Sequence, residues 1–488
     1  MIGKVSVKSD WSLEWFRILN TACQDQAQGL HTLSFTTCEL YSSNLQSYSI
    51  QIIYIRCVKL FQPLAIYQEA SCFRQQIVVV GRIIASVNTY VSTLSLTLTN
   101  DTRMTTPPRF IEDLIYLILE SDDHWWPRDL LRLARVSPAW LAPVRKRLYA
   151  CPNLRSFRAC GLLARTLTEI PCLQTLLHGI DIRPSISFDV DCGELSATEM
   201  ASLRYILNLD GLRSLTLGGE LAVHAERFLH SLAHPDAVTE LNIHGSTHRG
   251  GHGYFRCRKP ASLEWDEVMA FKFPNLRKLQ LSNLEIDIMH PPIPYDLEVT
   301  DLHLDNIEIT SGYLPHLFHE SWSSLRHLSV IARTASDFDE HLRVILDCCS
   351  PGLEALHYEV VDARSEHILF DDASTMLPSL RHLRLSGVDI QSHTLFVIQE
   401  TCRNLEDLSV TGRVVRVSAL DWVLFLNSGS LPSLRHLSIP WGTYRPPFVH
   451  WPRECCKSVL DASATRKIYL SRPPVDAVPN YGPRVIRN

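Results

Sequence analysis

The sequence predicts an α/β solenoid, with one strand and one helix per repeat along a curved parallel sheet, preceded by a small all-helical module. Three observations carry that expectation. The pattern Leu-x-x-Leu-x-Leu returns from about residue 154 to residue 439, and an internal repeat decides architecture before any local reading does. Within it the phrase Ser-Leu-Arg-His-Leu is written three times, at Ser324 to Leu328, Ser379 to Leu383 and Ser433 to Leu437. Ahead of it, between Pro107 and Tyr149, apolar residues fall at helical spacing.

Residues 1–104 differ from the rest of the chain: they are rich in Ser and Thr, poor in acids, and carry no sustained period. Tyr90 to Thr99 alternates like a strand, but no fold emerges. Met104 stands directly before the first patterned segment and is read as the functional start, with the preceding stretch a poorly ordered extension or a gene-model artefact. No apolar leader opens the chain, because Lys4, Lys8, Asp10, Glu14 and Arg17 interrupt any candidate core. The most apolar run, Ile77 to Val87, contains Arg82 and falls well below the roughly 20 residues needed to cross a bilayer. The 14 Cys are therefore read as reduced thiols of a cytoplasmic or nuclear protein without membrane attachment.

The helical module covers residues 105–150. Pro107-Pro108 gives a stiff entry, and Ile111, Leu114, Ile115, Ile118 and Leu119 then share one helix face. Asp122, Asp123 and Trp125-Trp126-Pro127 break that helix. Asp129 leads into a second carrying Leu130, Leu133, Ala134 and Val136, which Ser137-Pro138-Ala139-Trp140 ends, and Leu141 to Tyr149 form a third, basic one. Pro108, Ile111, Leu114 and Ile115, followed by Asp129 to Trp140 with its leucine-rich helix, Val-Ser and Trp, resemble an F-box. The opening departs from the family's Leu-Pro-x-Glu: here Pro107-Pro108-Arg109-Phe110 stands, and an acid arrives only at Glu112.

The array covers residues 151–440, with leading apolar positions Leu154, Leu173, Leu212, Val238, Leu276, Val299, Leu325, Leu353, Leu380, Leu405 and Leu434. From Leu276 the intervals are 23, 26, 28, 27, 25 and 29 residues, matching a leucine-rich-repeat solenoid. The gaps of 39 after Leu173 and 38 after Val238 hold insertions or degenerate repeats, with Ile186 to Val190 a candidate strand. From Leu380 the full unit is legible: Leu383 and Leu385 on a strand, Val388 and Ile390 turning inward, Leu395, Ile398 and Cys402 on one helix face. Cys402-Arg403-Asn404-Leu405, Cys151-Pro152-Asn153-Leu154 and Cys349-Ser350-Pro351-Gly352-Leu353 resemble the cysteine-bearing repeat found behind F-boxes. Ser196-Ala197-Thr198-Glu199 reads as a capping box opening a helix with Met200, Leu203 and Leu207. Residues 441–488, rich in Pro and Arg, form a terminal cap and irregular tail, in which Lys467 to Leu470 supply a last strand.

On such strands the Leu residues point inward and the residues between them outward. Two outward columns result: Ser214, Glu240, Lys278, Asp301, His327, Ala355, His382, Asp407, His436 and Thr216, Asn242, Gln280, His303, Ser329, His357, Arg384, Ser409, Ser438. From these the target-binding candidates are Gln280, His303, His327, His357, His382, Arg384, Asp407 and His436. The repeated His residues sit two strands apart, roughly 10 Å, too far for shared metal ligation. No Ser or Cys occupies a recognisable nucleophile turn. His244, His248, His252 and Cys257 form the only cluster with plausible metal spacing, but paired Cys are missing, and His244 to Lys259 read as a flexible insertion. Gly250-Gly251-His252-Gly253 lacks the Lys-Ser/Thr ending of a phosphate loop.

With 47 Lys and Arg against 52 Asp and Glu, the totals show no footprint of a nucleic-acid binder. No catalytic group, metal or cofactor is expected. Over residues 107 to about 440 the chain resembles F-box/leucine-rich-repeat proteins of the type abundant in fungi. The resemblance implies the substrate-recognition subunit of an SCF-type cullin-RING ubiquitin ligase. The Skp adaptor would be bound through Pro108, Ile111, Leu114, Ile115, Leu130, Leu133, Val136 and Trp140, and the array would hold an unknown target protein. The alternative is a leucine-rich-repeat scaffold whose helical cap never meets the adaptor, with an enzyme a distant third.

Overall fold

The computed structural model describes residues 110–120, 125–184, 196–245, 261–289, 297–318, 321–334, 338–362, 369–370, 375–412, 414–444 and 448–471. The chain divides into two compact units at Ile118/Leu119, within the first described helix, α1 (Phe110–Glu120). In α1, Ile115 and Leu119 are buried. Pro108, the expected strand at Ile186 to Val190 and most of the Gly-rich, His-bearing stretch lie outside the described residues.

The second unit opens with α2 (Pro127–Ala134) and α3 (Pro138–Ala150), each with Pro in its first turn, where the missing N–H costs nothing. Trp126 and Ser137 precede them in extended backbone. Pro143 sits inside α3, and Pro143 and Val144 are buried. The Ser-Pro expected to stop the second helix therefore starts the third.

The remaining elements run as β1 (Asn153–Leu154), α4 (Phe157–Glu169), β2 (Gly179–Ile182), α5 (Ala197–Leu207), β3 (Ser214–Gly218), α6 (Glu220–Val223), α7 (Ala225–His230) and β4 (Glu240–His244). Next come β5 (Ser262–Trp265), α8 (Glu267–Lys272), β6 (Lys278–Ser282), β7 (Glu285–Ile288), β8 (Asp301–Asp305) and β9 (Glu308–Ser311). The rest is β10 (His327–Ala332), α9 (Asp339–Cys349), β11 (Ala355–Val360), β12 (His382–Ser386), α10 (Ser392–Thr401), β13 (Asp407–Thr411), α11 (Ala419–Asn427), β14 (His436–Ser438), β15 (Gly442–Tyr444), β16 (Phe448–His450), α12 (Arg453–Thr465) and β17 (Tyr469–Leu470).

The architecture is mixed α/β with a parallel sheet of 12 strands, ordered β1-β2-β3-β4-β6-β8-β10-β11-β12-β13-β14-β17. Adjacent strands pair without offset, so Leu302, Leu328, Leu356, Leu383, Leu408 and Leu437 form one buried row across the sheet. Leu304, Val330, Tyr358, Leu385 and Val410 form the next row, two residues on. Two backbone devices hold this register. The carbonyl just before most strands of the large sheet accepts two amides from the next repeat, as Arg326 does from Glu354 and Ala355, and Arg381 from Glu406 and Asp407. Where the chain leaves a strand it turns through left-handed backbone, at Asn283 (φ 54°), Asn306 (φ 51°), Gly387 (φ 68°) and Gly412 (φ 113°). Those types tolerate that region best, and Asn306 Nδ2 further donates to Asn283 Oδ1 at 2.9 Å.

Among the described residues the strand-plus-helix unit holds over β1–β2, β2–β3, β3–β4, β10–β11, β12–β13, β13–β14 and β14–β17. Elsewhere it does not. Between β6 and β8 the chain makes β7, and between β8 and β10 it makes β9 and two 3₁₀ turns, Leu314–Phe318 and Ser321–Ser324. β5, β7 and β9 build a second, three-stranded parallel sheet. Trp265 and Trp322 fill the adjoining core, and their indole N–H groups reach the carbonyls of Leu317 (3.0 Å) and Pro315 (2.8 Å), so burial leaves no orphan donor.

Two expected leading positions are corrected. Leu173 lies in the 3₁₀ turn Pro171–Leu176, and the position two before β2 is Leu177. Leu154 pairs with Ile182, near the end of its strand, so it closes β1 and does not lead it. Leu residues of the neighbouring turn and helix mimic the strand motif there, and hydrogen bonding decides between them. The last strand expected at Lys467 to Leu470 is present as β17, paired with β14 behind the β15–β16 hairpin and α12.

Candidate functional site

Alternation along the strands places the two polar columns on one face of the large sheet. From β6 to β17 this face lines a groove of about 640 Å³. Gln280, His303, His327, His357, His382, Arg384, Asp407 and His436, the eight residues singled out from sequence, all line it.

The first column is organised by acids beside histidines. Asp407 on β13 stands between His382 on β12 and His436 on β14, and its two oxygens lie 2.5 Å from Nδ1 of each ring. An ionised carboxylate only accepts, so both rings present Nδ1–H to it and keep Nε2 for a partner. Asp301 on β8 lies 2.9 Å from His327 Nδ1, and also accepts from Thr300 Oγ1 at 2.6 Å. Exposed contacts of this kind contribute about 0 to 1 kcal/mol, so they orient the rings more than they hold the fold.

The second column is less exposed. His303 and His357 are half-buried, and desolvation pushes both imidazoles below their ordinary pKa; the Arg384 guanidinium adds to the effect on His357, and Lys278 to that on His303. His357 Nδ1 lies 3.1 Å from Ser329 Oγ, and its Nε2 lies 3.4 Å from Glu359. Ser, His and Glu thus stand in a line, the nearest approach to a catalytic relay on this face. Ser329 lies mid-strand between β8 and β11, however, so its amide serves the ladder and forms no oxyanion hole. His244, further along the face, is also shifted down, chiefly by desolvation and then by Arg183. Among the described residues no group of three His, Cys, Asp or Glu side chains could hold a metal ion.

Of the three repeat cysteines, Cys151 is exposed, whereas Cys349 and Cys402 belong to the core. Cys349 and Cys402 are fully buried, and burial pushes their thiols up to about 12 and about 11, which leaves them inert at neutral pH.

The residues assigned to adaptor contact are divided by their exposure. Ile115 and Leu130 are buried within the chain, Leu114, Leu133 and Trp140 are partly exposed, and Val136, at the C-terminal end of α2, is 60% exposed. Trp126, at the entry to α2, is 63% exposed. Helical spacing in the sequence does not separate inward from outward residues within this apolar set. No described helix is long and apolar enough to cross a membrane. No protein-family model matches the chain, and no curated protein matches it either.

Proposed function

We propose that the chain is the substrate-recognition subunit of an SCF-type cullin-RING ubiquitin ligase, its helical module an F-box for the Skp adaptor and its array a leucine-rich-repeat solenoid that holds a target protein. The observation that carries the reading is the groove: eight neighbouring strands in register present continuous rows of outward side chains, most of them polar. Such a surface suits recognition of another polypeptide. The chain would do no chemistry itself. Its contribution is proximity, raising the effective concentration of the target beside the charged conjugating enzyme.

One observation favours a second reading, a repeat scaffold whose helices merely cap the sheet: Leu130, an adaptor candidate, is already 4% exposed within the chain. Co-purification with the Skp adaptor separates the two. Changing Leu130 to Asp would damage the module itself, so the informative substitution is Val136→Asp, at an exposed position. Under the receptor reading the wild-type chain retains the adaptor and Val136→Asp loses it; no association of the wild-type chain would leave the scaffold.

A further inference from the structure

The groove treats its charges unequally. Both acids that line it are engaged: Asp301 with His327 and Thr300, Asp407 with His382 and His436. Its two cations are not. Among the described residues neither the Lys278 nor the Arg384 side chain makes a hydrogen bond or an ion pair, although both are exposed. Lys278 is flanked in the register by Glu240 and Asp301 and pairs with neither. Arg384 is flanked by His357, which desolvation keeps toward its neutral form, and by Ser409. The Ser409 and Ser438 hydroxyls continue its column, also without partners. A planar guanidinium beside a row of hydroxyls offers a fork to a carboxylate.

Spacing adds a second constraint. Lys278 on β6 and Arg384 on β12 are separated by four strand-to-strand steps, roughly 19 Å along the sheet. An extended chain covers that span in about six residues.

Resting on the reading that this groove holds a target polypeptide, we infer that the target segment is an extended acidic peptide laid across the strands, with one carboxylate on Arg384 and a second, about six residues away, on Lys278. The choice follows from what the groove leaves unsatisfied: two cations and a row of donors. A basic segment would meet those cations unscreened and would have to displace His from Asp407.

The test uses the full chain and fluorescein-labelled dodecapeptides of Gly, Ser and Ala. One carries Glu at positions 3 and 9, and three others carry Gln, Lys or phosphoserine there. Titrations at low salt should show the Glu peptide binding about tenfold tighter than the Gln or Lys peptide, as expected for a charge-assisted contact. Arg384→Gln should abolish that preference and Lys278→Gln should reduce it. Asp407→Asn, which removes an anion from the groove, should enlarge it. Arg384 is exposed and unpartnered, so its replacement should leave the urea midpoint unchanged.

Equal binding of the Gln peptide, an unchanged preference in Arg384→Gln, or no binding by any peptide overturns the inference. Binding of the phosphoserine peptide alone overturns the choice of carboxylate. Adaptor co-purification is independent of these titrations. If the adaptor is retained while the peptides fail, the acidic segment falls and the receptor stands; the reverse outcome removes the ligase and leaves the groove.

Discussion

At the scale of single residues, each Ser-Leu-Arg-His-Leu phrase divides its labour. Leu383 is 1% exposed, while the His382 side chain is 54% exposed and pairs with Asp407. Leu383→Ala should therefore cost roughly 2 to 5 kcal/mol by leaving a cavity, and His382→Ala less than about 1 kcal/mol. Urea melts measure both, and equal small effects would refute the inward and outward assignment. Ser324 and Ser379 fasten the phrase to its neighbour, donating to the carbonyls of Val299 (2.9 Å) and Pro351 (2.6 Å). The half-buried histidines give a pH dependence. His244, His303 and His357 are all shifted below their ordinary pKa, so the unfolded chain takes up protons there before the folded chain does. Their contribution is in place above the unfolded value, about pH 6.5, and is lost as pH falls below it through the depressed folded values. The urea midpoint should fall between pH 7 and pH 5, and His357→Gln or His303→Gln should flatten part of that slope. The outward direction of these residues was legible from alternation. The bridging role of Asp407 was not, because comparing the three His with one another across two strands passes over the acid that stands between two of them.

Between residue and molecule, the elements show which signals were strong. The register could be read wherever leading positions lay 23 to 29 residues apart. It failed at Leu154 and Leu173, where Leu-rich helix and turn segments imitate the strand motif. The second sheet was also in plain sight: Leu284 to Ile288 alternates with period two and carries two Ile, a strand signal that the expectation of a helix in every repeat obscured. Ser196 behaved as read, its side chain accepting from the Glu199 amide while Glu199 returns to the Ser196 amide. Turns matter as much as strands. A Cβ on Gly387 would lie 1.9 Å from the Val360 carbonyl oxygen, whereas at Gly429 (φ 70°) it would meet nothing within 4 Å. Gly429→Ala should cost about 1 to 2 kcal/mol for left-handed backbone alone. Gly387→Ala should cost clearly more, because two strands must separate. Thermal melts of both variants test this, and equal losses would mean that the close approach after β12 carries no stability.

At the scale of the whole molecule, consecutive strands in register convert a short sequence repeat into one long surface, so each outward column becomes a row of contacts no single repeat could supply. Function then depends on what the array is attached to. α2 and α3 directly precede β1, with Val136 and Trp126 exposed at the ends of α2. The sequence pattern named the apolar set of this module but not its outward members, since helical spacing alone does not say which stripe a partner takes. The central claim is that this module docks on the Skp adaptor, and its most direct measurement is titration calorimetry of the purified full chain with the purified adaptor. The account predicts a saturable one-to-one complex that Val136→Asp abolishes without moving the urea midpoint. Absence of binding by the wild-type chain, or binding undiminished in Val136→Asp, would contradict it.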